Sequence, residues 1–338
     1  MLRSDSGFIA GLVALSLFRN GFGARPRLHF FAITYVNALP RVPHAAPLQQ
    51  WAVWSPLGPI VARLLTIHSI QGFVLLHLVV VIIGIGVLIS VRRLHGSLAM
   101  RVAAVAFVAL PVSVVVQAWL GSYDAWVFLF TTTVVVTRSR PLAAVAGLLL
   151  AFANFDQGVV ILVLLAAVSW IRPHGSLIRY AYAAAGLLAG RLVLQVWFAN
   201  YHVTSGRQTY ATHLGIKLLA RTAGHHWLLL VLSLVGAAVP LLVGVMAGGR
   251  RQSIAVAVVL IGAAVPMFLA TDETRVFALT SWPPLLALIL DESARSPERI
   301  RRAMRWTIAL AIAVPGWFIW YGRPFFAKYQ WIKLFSGS

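Results

Sequence analysis

Apolar segments about as long as a membrane is thick recur along this chain of 338 residues, with short connections between them. A spanning helix needs ~20 mostly apolar residues. Hydrophobic residues make up 60% of the sequence and charged residues only 11%, whereas soluble domains carry about 25% charged residues. This chain has too little charge to cover a soluble surface of its size. The sequence therefore predicts a single transmembrane domain, 1–338, folded as an all-α polytopic membrane bundle.

The apolar segments predict about 11 transmembrane helices. The clear segments are 68–91, 101–120, 177–198, 227–248, 253–270 and 306–321. The shorter segments are 124–137, 141–155, 157–171 and 276–290. Segment 7–18 is a weaker candidate, either a first helix or the apolar region of a signal peptide. The sequence "RNGFGARP" after it offers no small-residue cleavage site, which favours a retained helix.

Short arginine-bearing connections follow every second predicted span. The arginine-bearing set is "VRRLHGSLAMR", "TRSRP", "IRPHGSLIR", "GGRRQS" and "DESARSPERIRRAMR". By the positive-inside rule these face the cytoplasm, which places the N-terminus inside the plasma (inner) membrane and the C-terminus outside. The net charge of +20 therefore reports orientation, and no nucleic-acid partner is predicted. The absence of cysteine excludes disulfides and thiolate metal sites.

Outside the N-terminus and the predicted cytoplasmic connections, all four acids lie in the outward turns. "GSYD" contains Asp124, "NFDQG" contains Asp156, and "TDETR" contains Asp272 and Glu273 beside Arg275. The short predicted cytoplasmic turns 138–140, 172–179 and 250–251 contain no acid. This one-sided distribution predicts that the acidic turns share a cavity at the outer face.

Depth supports that prediction. Asp124 and Asp156 lie only ~24 Å above the level of Arg140 at 1.5 Å per helical residue, and the hydrocarbon core is ~30 Å thick. Ionisable groups at such depth usually line a cavity or find a partner. Two structural alternatives stay open: each aspartate caps the following helix, or Asp272 and Arg275 form a helical ion pair.

Two outward stretches have the pattern of amphipathic helices in the membrane interface. The first is "LQQWAVWSPLGPIVARLLTIHSI" in the long 19–67 loop, and the second is "THLGIKLLARTAGHHW", 212–227, in the 199–226 loop. The basic residues of the second loop predict a rim that binds the phosphate of a lipid. The alternative is a solvated amphipathic connection. The rim residues are Arg207, Lys217, Arg221, His225 and His226. The histidine pair lacks metal-ligand spacing, so the sequence does not indicate a divalent metal and the cofactor is unknown.

These features together resemble the GT-C type polytopic glycosyltransferases and the related polysaccharide polymerases of bacterial envelopes. The similar features are the long first outward loop, "WSPLGP" leading into a span, the "GSYD" turn, and an acid-plus-arginine turn near the C-terminus. The resemblance implies transfer of a sugar from a polyprenyl-phosphate donor to a glycan or lipid acceptor at the outer face, with a carboxylate as base. The chain departs from the family's pattern because 19–67 contains no Asp or Glu.

The resemblance implies roles for the residues already singled out. An acceptor hydroxyl needs a general base, and the candidates are Asp124, Asp156, Asp272 and Glu273. The departing lipid phosphate needs positive charge, for which the candidates are Arg275 and the basic rim. Two other classes of protein remain open: a membrane transporter or lipid flippase, and a non-catalytic subunit of envelope assembly in which the acids are caps and ion pairs.

Overall fold

A computed structural model describes residues 2–21, 54–172, 177–200, 208–269, 273–320 and 323–326. The described chain is nearly all α-helical, as predicted. The helices are α1 (Leu2–Asn20), α2 (Leu57–Leu64), α3 (Ile70–Ala109), α4 (Pro111–Ala118), α5 (Asp124–Val136), α6 (Arg140–Ile171), α7 (Leu177–Asn200), α8 (Gln208–Val235), α9 (Val239–Met246), α10 (Arg250–Ala264), α11 (Glu273–Arg295) and α12 (Pro297–Ala313). Short 3-10 helices cover Gly236–Ala238 and Val265–Leu269, and Trp317–Trp320 (β1) pairs antiparallel with Arg323–Phe326 (β2).

Several helices have the length and composition of membrane spans, which agrees with a multi-pass membrane protein. Among the described residues, five helical stretches are long and apolar enough to cross a membrane. They are Ile70–Ala109, Arg140–Ile171, Leu177–Asn200, Ala220–Met246 and Arg250–Met267. The predicted number of crossings, about 11, is not confirmed by this count. Part of the difference arises because two of the stretches each contain two of the predicted spans.

Helix α3 is a hairpin of two helical arms rather than one rod. Leu78 and Phe107 line the same apolar groove, although a straight helix would separate them by ~44 Å. The chain reverses at Gly96, whose φ is 87°. That left-handed conformation is readily adopted by glycine and costly for other residues. The predicted spans 68–91 and 101–120 therefore correspond to the two arms, with α4 extending the second.

Helix α6 is a second hairpin, and its reversal is at Asn154. Arg140 and Arg172 line one cavity, although a straight 32-residue helix would be ~48 Å long. The backbone of Asn154 is extended, with φ −164° and ψ 98°. Leu150 lies close to Gly158 across the turn, 3.1 Å from where a Cβ at residue 158 would be. The predicted spans 141–155 and 157–171 are the arms of this hairpin.

Helix α7 packs against α6 through small residues. A Cβ added at Gly186 would lie 1.9 Å from the Ala144 carbonyl oxygen, and one at Gly147 would lie 2.0 Å from that of Ala183. Gly190 is similarly close to Leu148. Small residues allow helix backbones to approach closely. The resulting van der Waals contacts help to hold helices together in a membrane. The arm 140–153 and α7 are thereby fixed side by side.

The arginine-bearing connections gather at one end of the bundle, as their alternation predicts. His95, Arg138 and Arg172 come from the first three connections and line one cavity. Glu292, from the fifth connection, accepts a hydrogen bond from Arg172 and lies beside Gly248 of the fourth. We call this the arginine end. Asp5 of α1 is also at this end, because it pairs with Arg92 and Arg101 on either side of the α3 reversal. We call the opposite end, with Asp124 and the Asn154 reversal, the aspartate end.

The predicted last span, 306–321, is wrong. Helix α12 ends at Ala313, and β1 begins at Trp317. Pro315 explains the end of the helix, because proline disfavours a helical conformation in the preceding residue and has no N–H to donate. The stretch "DESARSPERIRRAMR", predicted as a loop, is helical on both sides of Ser296.

Both predicted interfacial stretches contain helices. In the first, α2 covers Leu57–Leu64 and buries Leu57 and Ala62, while Leu64 and Leu65 are exposed. In the second, α8 runs on from the loop into the apolar stretch that follows, with a break in helical geometry at His226. Their position relative to a membrane remains a prediction.

Candidate functional site

Asp124 and Arg275 form a buried ion pair at the aspartate end. Asp124 is the first residue of α5 and its side chain is 0% exposed. The Nε atom of Arg275, in the first turn of α11, donates to both carboxylate oxygens, at 3.0 and 2.8 Å. The two residues are 151 positions apart in the chain. This ion pair joins the "GSYD" turn to Arg275 at the start of α11.

Neighbouring groups enclose this pair. The Ser122 hydroxyl donates to Asp124 Oδ2 at 2.8 Å and accepts from Arg275 Nη2 at 2.5 Å. The Arg275 guanidinium lies 4.7 Å from the ring centre of Trp119 and 4.6 Å from that of Tyr123, within the range of cation–π attraction. Carboxylate and guanidinium thus neutralise each other inside a packed shell, where neither presents exposed charge.

The other predicted acids lie elsewhere or outside the described residues. Asp156 belongs to the second arm of α6 and is exposed. Asp272 lies outside the described residues, as does the side chain of Glu273. The proposed sharing of one cavity is therefore seen only as the contact between the Asp124 and Arg275 turns.

Asp156 is neither the cap of its helix nor a member of an ion pair among the described residues. The cap is Asn154, whose Oδ1 accepts from the Gln157 backbone N–H at 3.2 Å. Asn154 thus satisfies a free N–H of the second arm, the role the sequence left open for Asp156. The helix dipole still favours an acid at Asp156 by about 0.3–1 kcal/mol. Its carboxylate is exposed beside the reversal and available to a ligand.

Arg191 supplies a cation at the level of this reversal, and it was not among the predicted site residues. Its guanidinium lies 4.9 Å from the ring centre of Phe155 and 5.5 Å from that of Trp54. Trp54 in turn packs on Phe198, with ring centres 4.7 Å apart. The signal in the sequence was the position of Arg191 in the interior of the apolar segment 177–198, since a charge inside a span usually has a function.

The predicted basic rim is only partly described. Lys217, Arg221 and His225 are exposed along α8, at the spacing of one helix face. His226 is half-buried at the break, with its ring centre 6.4 Å from that of His225. Arg207 lies outside the described residues. Helix α8 packs mainly on Val265–Leu269 and α11.

Within the described ranges, no three His, Asp or Glu side chains form a group that could hold a metal ion. No protein-family model, curated protein or solved structure matches the chain. The resemblance to GT-C enzymes therefore stays a prediction from the sequence, and a functional assignment depends on the geometry of the two ends.

Proposed function

We propose that this protein is a membrane glycosyltransferase at the outer face of the plasma membrane, with its N-terminus inside and its C-terminus outside. It moves a sugar from a polyprenyl-phosphate donor to a glycan or lipid acceptor. The single observation that carries the proposal is Asp156: a carboxylate at the predicted outward end that is exposed, does not cap its helix, and forms no ion pair among the described residues.

In this proposal Asp156 is the general base. It accepts the proton of the acceptor hydroxyl as the oxygen attacks the anomeric carbon, while the bond from that carbon to the phosphate oxygen breaks. The lipid phosphate leaves with the electron pair. A positioned base contributes about 10²- to 10⁴-fold to such a step. Asp124, one of the four acids considered from the sequence, is less suited because its charge is already neutralised by Arg275.

Arg191 is the proposed partner of the departing phosphate. Charge develops on the leaving oxygen, and a fixed cation stabilises it most effectively where water is excluded. The flanking rings of Phe155 and Trp54 restrict the guanidinium and offer apolar surface to the polyprenyl chain. The face of Lys217, Arg221 and His225 is assigned to lipid head groups, because these basic side chains are exposed along α8.

The test is a transfer assay on the full chain in nanodiscs with a panel of polyprenyl-phosphate sugars. Asp156→Asn keeps the shape of the side chain and removes the base, so kcat should fall about 10²-fold or more. Arg191→Lys keeps the charge but loses the bidentate geometry and should lower the same rate. Glu298→Gln is the matched control, because Glu298 is an exposed carboxylate on α12 at the arginine end; its rate should equal that of the unaltered protein.

Two results would overturn the proposal. One is an Asp156→Asn protein that transfers sugar as fast as the parent. The other is a parent protein that transfers none of the panel. Movement of the lipid-linked sugar across the bilayer without transfer would assign the protein to the transporter or flippase class instead. A protein that neither transfers the sugar nor moves the lipid-linked sugar across the bilayer would instead support the envelope-assembly alternative.

A further inference from the structure

A cavity of about 490 Å³ opens at the arginine end, between the α3 reversal and the ends of α5, α6, α7 and α11. Its lining is rich in cationic side chains drawn from four different connections or helices. Its ionisable lining residues other than Tyr180 are His95, Arg138, Arg140, Arg172, Arg179 and Asp291. This end was predicted to contain arginines only as orientation signals, and no binding role follows from the transferase proposal.

Arg172 is buried in the wall of the cavity and is only partly neutralised. Its side chain is 5% exposed, and Nη2 contacts Asp291 and, at 3.5 Å, Glu292. Burial lowers the pKa of the Arg172 guanidinium, and the charge of Asp291 raises it. Two other nitrogen atoms, Nε and Nη1, are buried and have no hydrogen-bond partner among the described residues. A buried donor left unpaired costs about 1–3 kcal/mol, more when it is charged.

Arg179 is held in place beside it. Its Nη1 atom donates to the carbonyl oxygens of Val135 at 2.9 Å and Thr137 at 3.2 Å, and its Nη2 atom donates to the Tyr180 hydroxyl at 2.8 Å. Its Nε atom is also buried, without a partner in the described parts of the chain. The guanidinium is thus fixed by neutral acceptors, so its charge is not cancelled by a carboxylate.

The balance of charge in the cavity is positive. Four arginines line it, and Asp291 is the single acid in the lining. Glu292 is not in the lining; it contacts both Arg172 and Arg299, so its single negative charge is shared between two arginines. Arg138 and Arg140 are exposed at the mouth. An anion in the cavity would provide acceptors for the unpaired N–H groups and offset the excess charge.

We propose that this cavity binds the phosphate group of a phosphate ester. Guanidinium groups recognise phosphate through paired, charge-assisted hydrogen bonds, and Arg172 and Arg179 offer unpaired buried donors beside the exposed Arg138 and Arg140. The phosphate comes either from the head group of an anionic lipid or from a soluble phosphate ester, since basic pockets between spanning helices hold lipid head groups. The site is independent of Asp156, because an arm of α6 about 20 Å long separates the two.

The test uses two probes on the full chain in detergent. Isothermal titration with inorganic pyrophosphate reports a soluble phosphate. Native mass spectrometry with phosphatidylglycerol, against phosphatidylcholine, reports a lipid head group. Arg172→Gln and the mouth variant Arg138→Gln/Arg140→Gln should each weaken binding of the active probe about tenfold or more. Arg302→Gln is the matched control, an exposed arginine on α12, and should leave binding unchanged.

Each outcome decides the proposal. Selective binding of pyrophosphate alone identifies a soluble ligand, and selective retention of phosphatidylglycerol alone identifies a lipid. The proposal is overturned if the parent binds neither probe, or if the mouth variant binds as the parent does. The mouth variant decides the matter even where Arg172→Gln fails to fold, because Arg138 and Arg140 are exposed.

Discussion

Helix α11 joins two ion-pair clusters of opposite character. Near its start Arg275 meets Asp124, and near its end Asp291 and Glu292 meet Arg172. The two clusters are about 24 Å apart along the helix. In the first cluster, Arg275 and Asp124 are matched and buried, and the rings of Trp119 and Tyr123 lie against the guanidinium. At the arginine end the cations outnumber the acids, and buried N–H groups of Arg172 and Arg179 have no partner among the described residues.

This difference separates structural from functional charge. A satisfied, buried pair fixes how the helices meet and leaves no capacity for a ligand. An unsatisfied cluster beside a cavity retains that capacity, and ionisable groups within a membrane protein are usually paired or placed at a functional pathway. Asp156 follows the second pattern at the aspartate end, because Asn154 caps its helix.

Breaking the Asp124–Arg275 pair should give the largest effect on stability. Asp124→Asn leaves the Arg275 charge buried without its counter-ion, which typically costs about 3–5 kcal/mol. Chemical unfolding in detergent would measure the loss of free energy. The double variant Asp124→Asn/Arg275→Met removes both charges and should recover part of it. A single variant as stable as the parent would show that the pair does not hold these helices together.

Breaking the cluster of Arg172 with Asp291 and Glu292 should lower the free energy of unfolding much less. Arg172→Gln removes two unsatisfied N–H groups together with the charge. It leaves Glu292 paired with Arg299 and Asp291 paired with Arg295. We expect a loss of about 1–2 kcal/mol in the same unfolding experiment, less than for a broken buried pair, because both acids keep an arginine partner and two unsatisfied buried N–H groups are removed. A loss as large as that of Asp124→Asn would mean that the two clusters do not differ as argued.

Single-cysteine variants should have no measurable effect on folding. Their labelling should show that the two ends of the bundle lie on opposite sides of the membrane. The chain contains no cysteine, so single cysteines report without background. Gly224→Cys, exposed on α8 towards the aspartate end, should react with an impermeant thiol reagent in intact cells. Glu298→Cys at the arginine end should react only after lysis. Reaction of the second before lysis would reverse the orientation inferred from the arginines.

The sequence predicted which connections share an end of the bundle better than it predicted the contacts made there. The alternation of arginines and apolar runs is a local pattern. It was sufficient to predict that Arg140 and Arg172 lie at the same end of the bundle. The Asp124–Arg275 pair was missed because its members are 151 residues apart and each had a plausible local role. The capping by Asn154 was missed because Asp156 in the same turn is an equally good cap by type.

The arginine cavity and the last span show two other limits. Arginines near span ends were interpreted only as orientation signals, and nothing in a linear pattern shows which guanidinium N–H groups lack partners after packing. The span 306–321 had suitable composition, but Pro315 ends helical geometry before it is complete. Hydropathy does not record that backbone constraint.

In the proposed function, Asp124 stabilises the fold and Asp156 acts as the general base. One preparation of each variant, Asp124→Asn and Asp156→Asn, should be measured for both unfolding midpoint and transfer rate per folded molecule. We predict that Asp124→Asn lowers the midpoint and keeps the rate of the folded fraction. Asp156→Asn should keep the midpoint and lose the rate by about 10²-fold or more. The reverse pattern, with transfer lost in folded Asp124→Asn and kept in Asp156→Asn, would contradict the account.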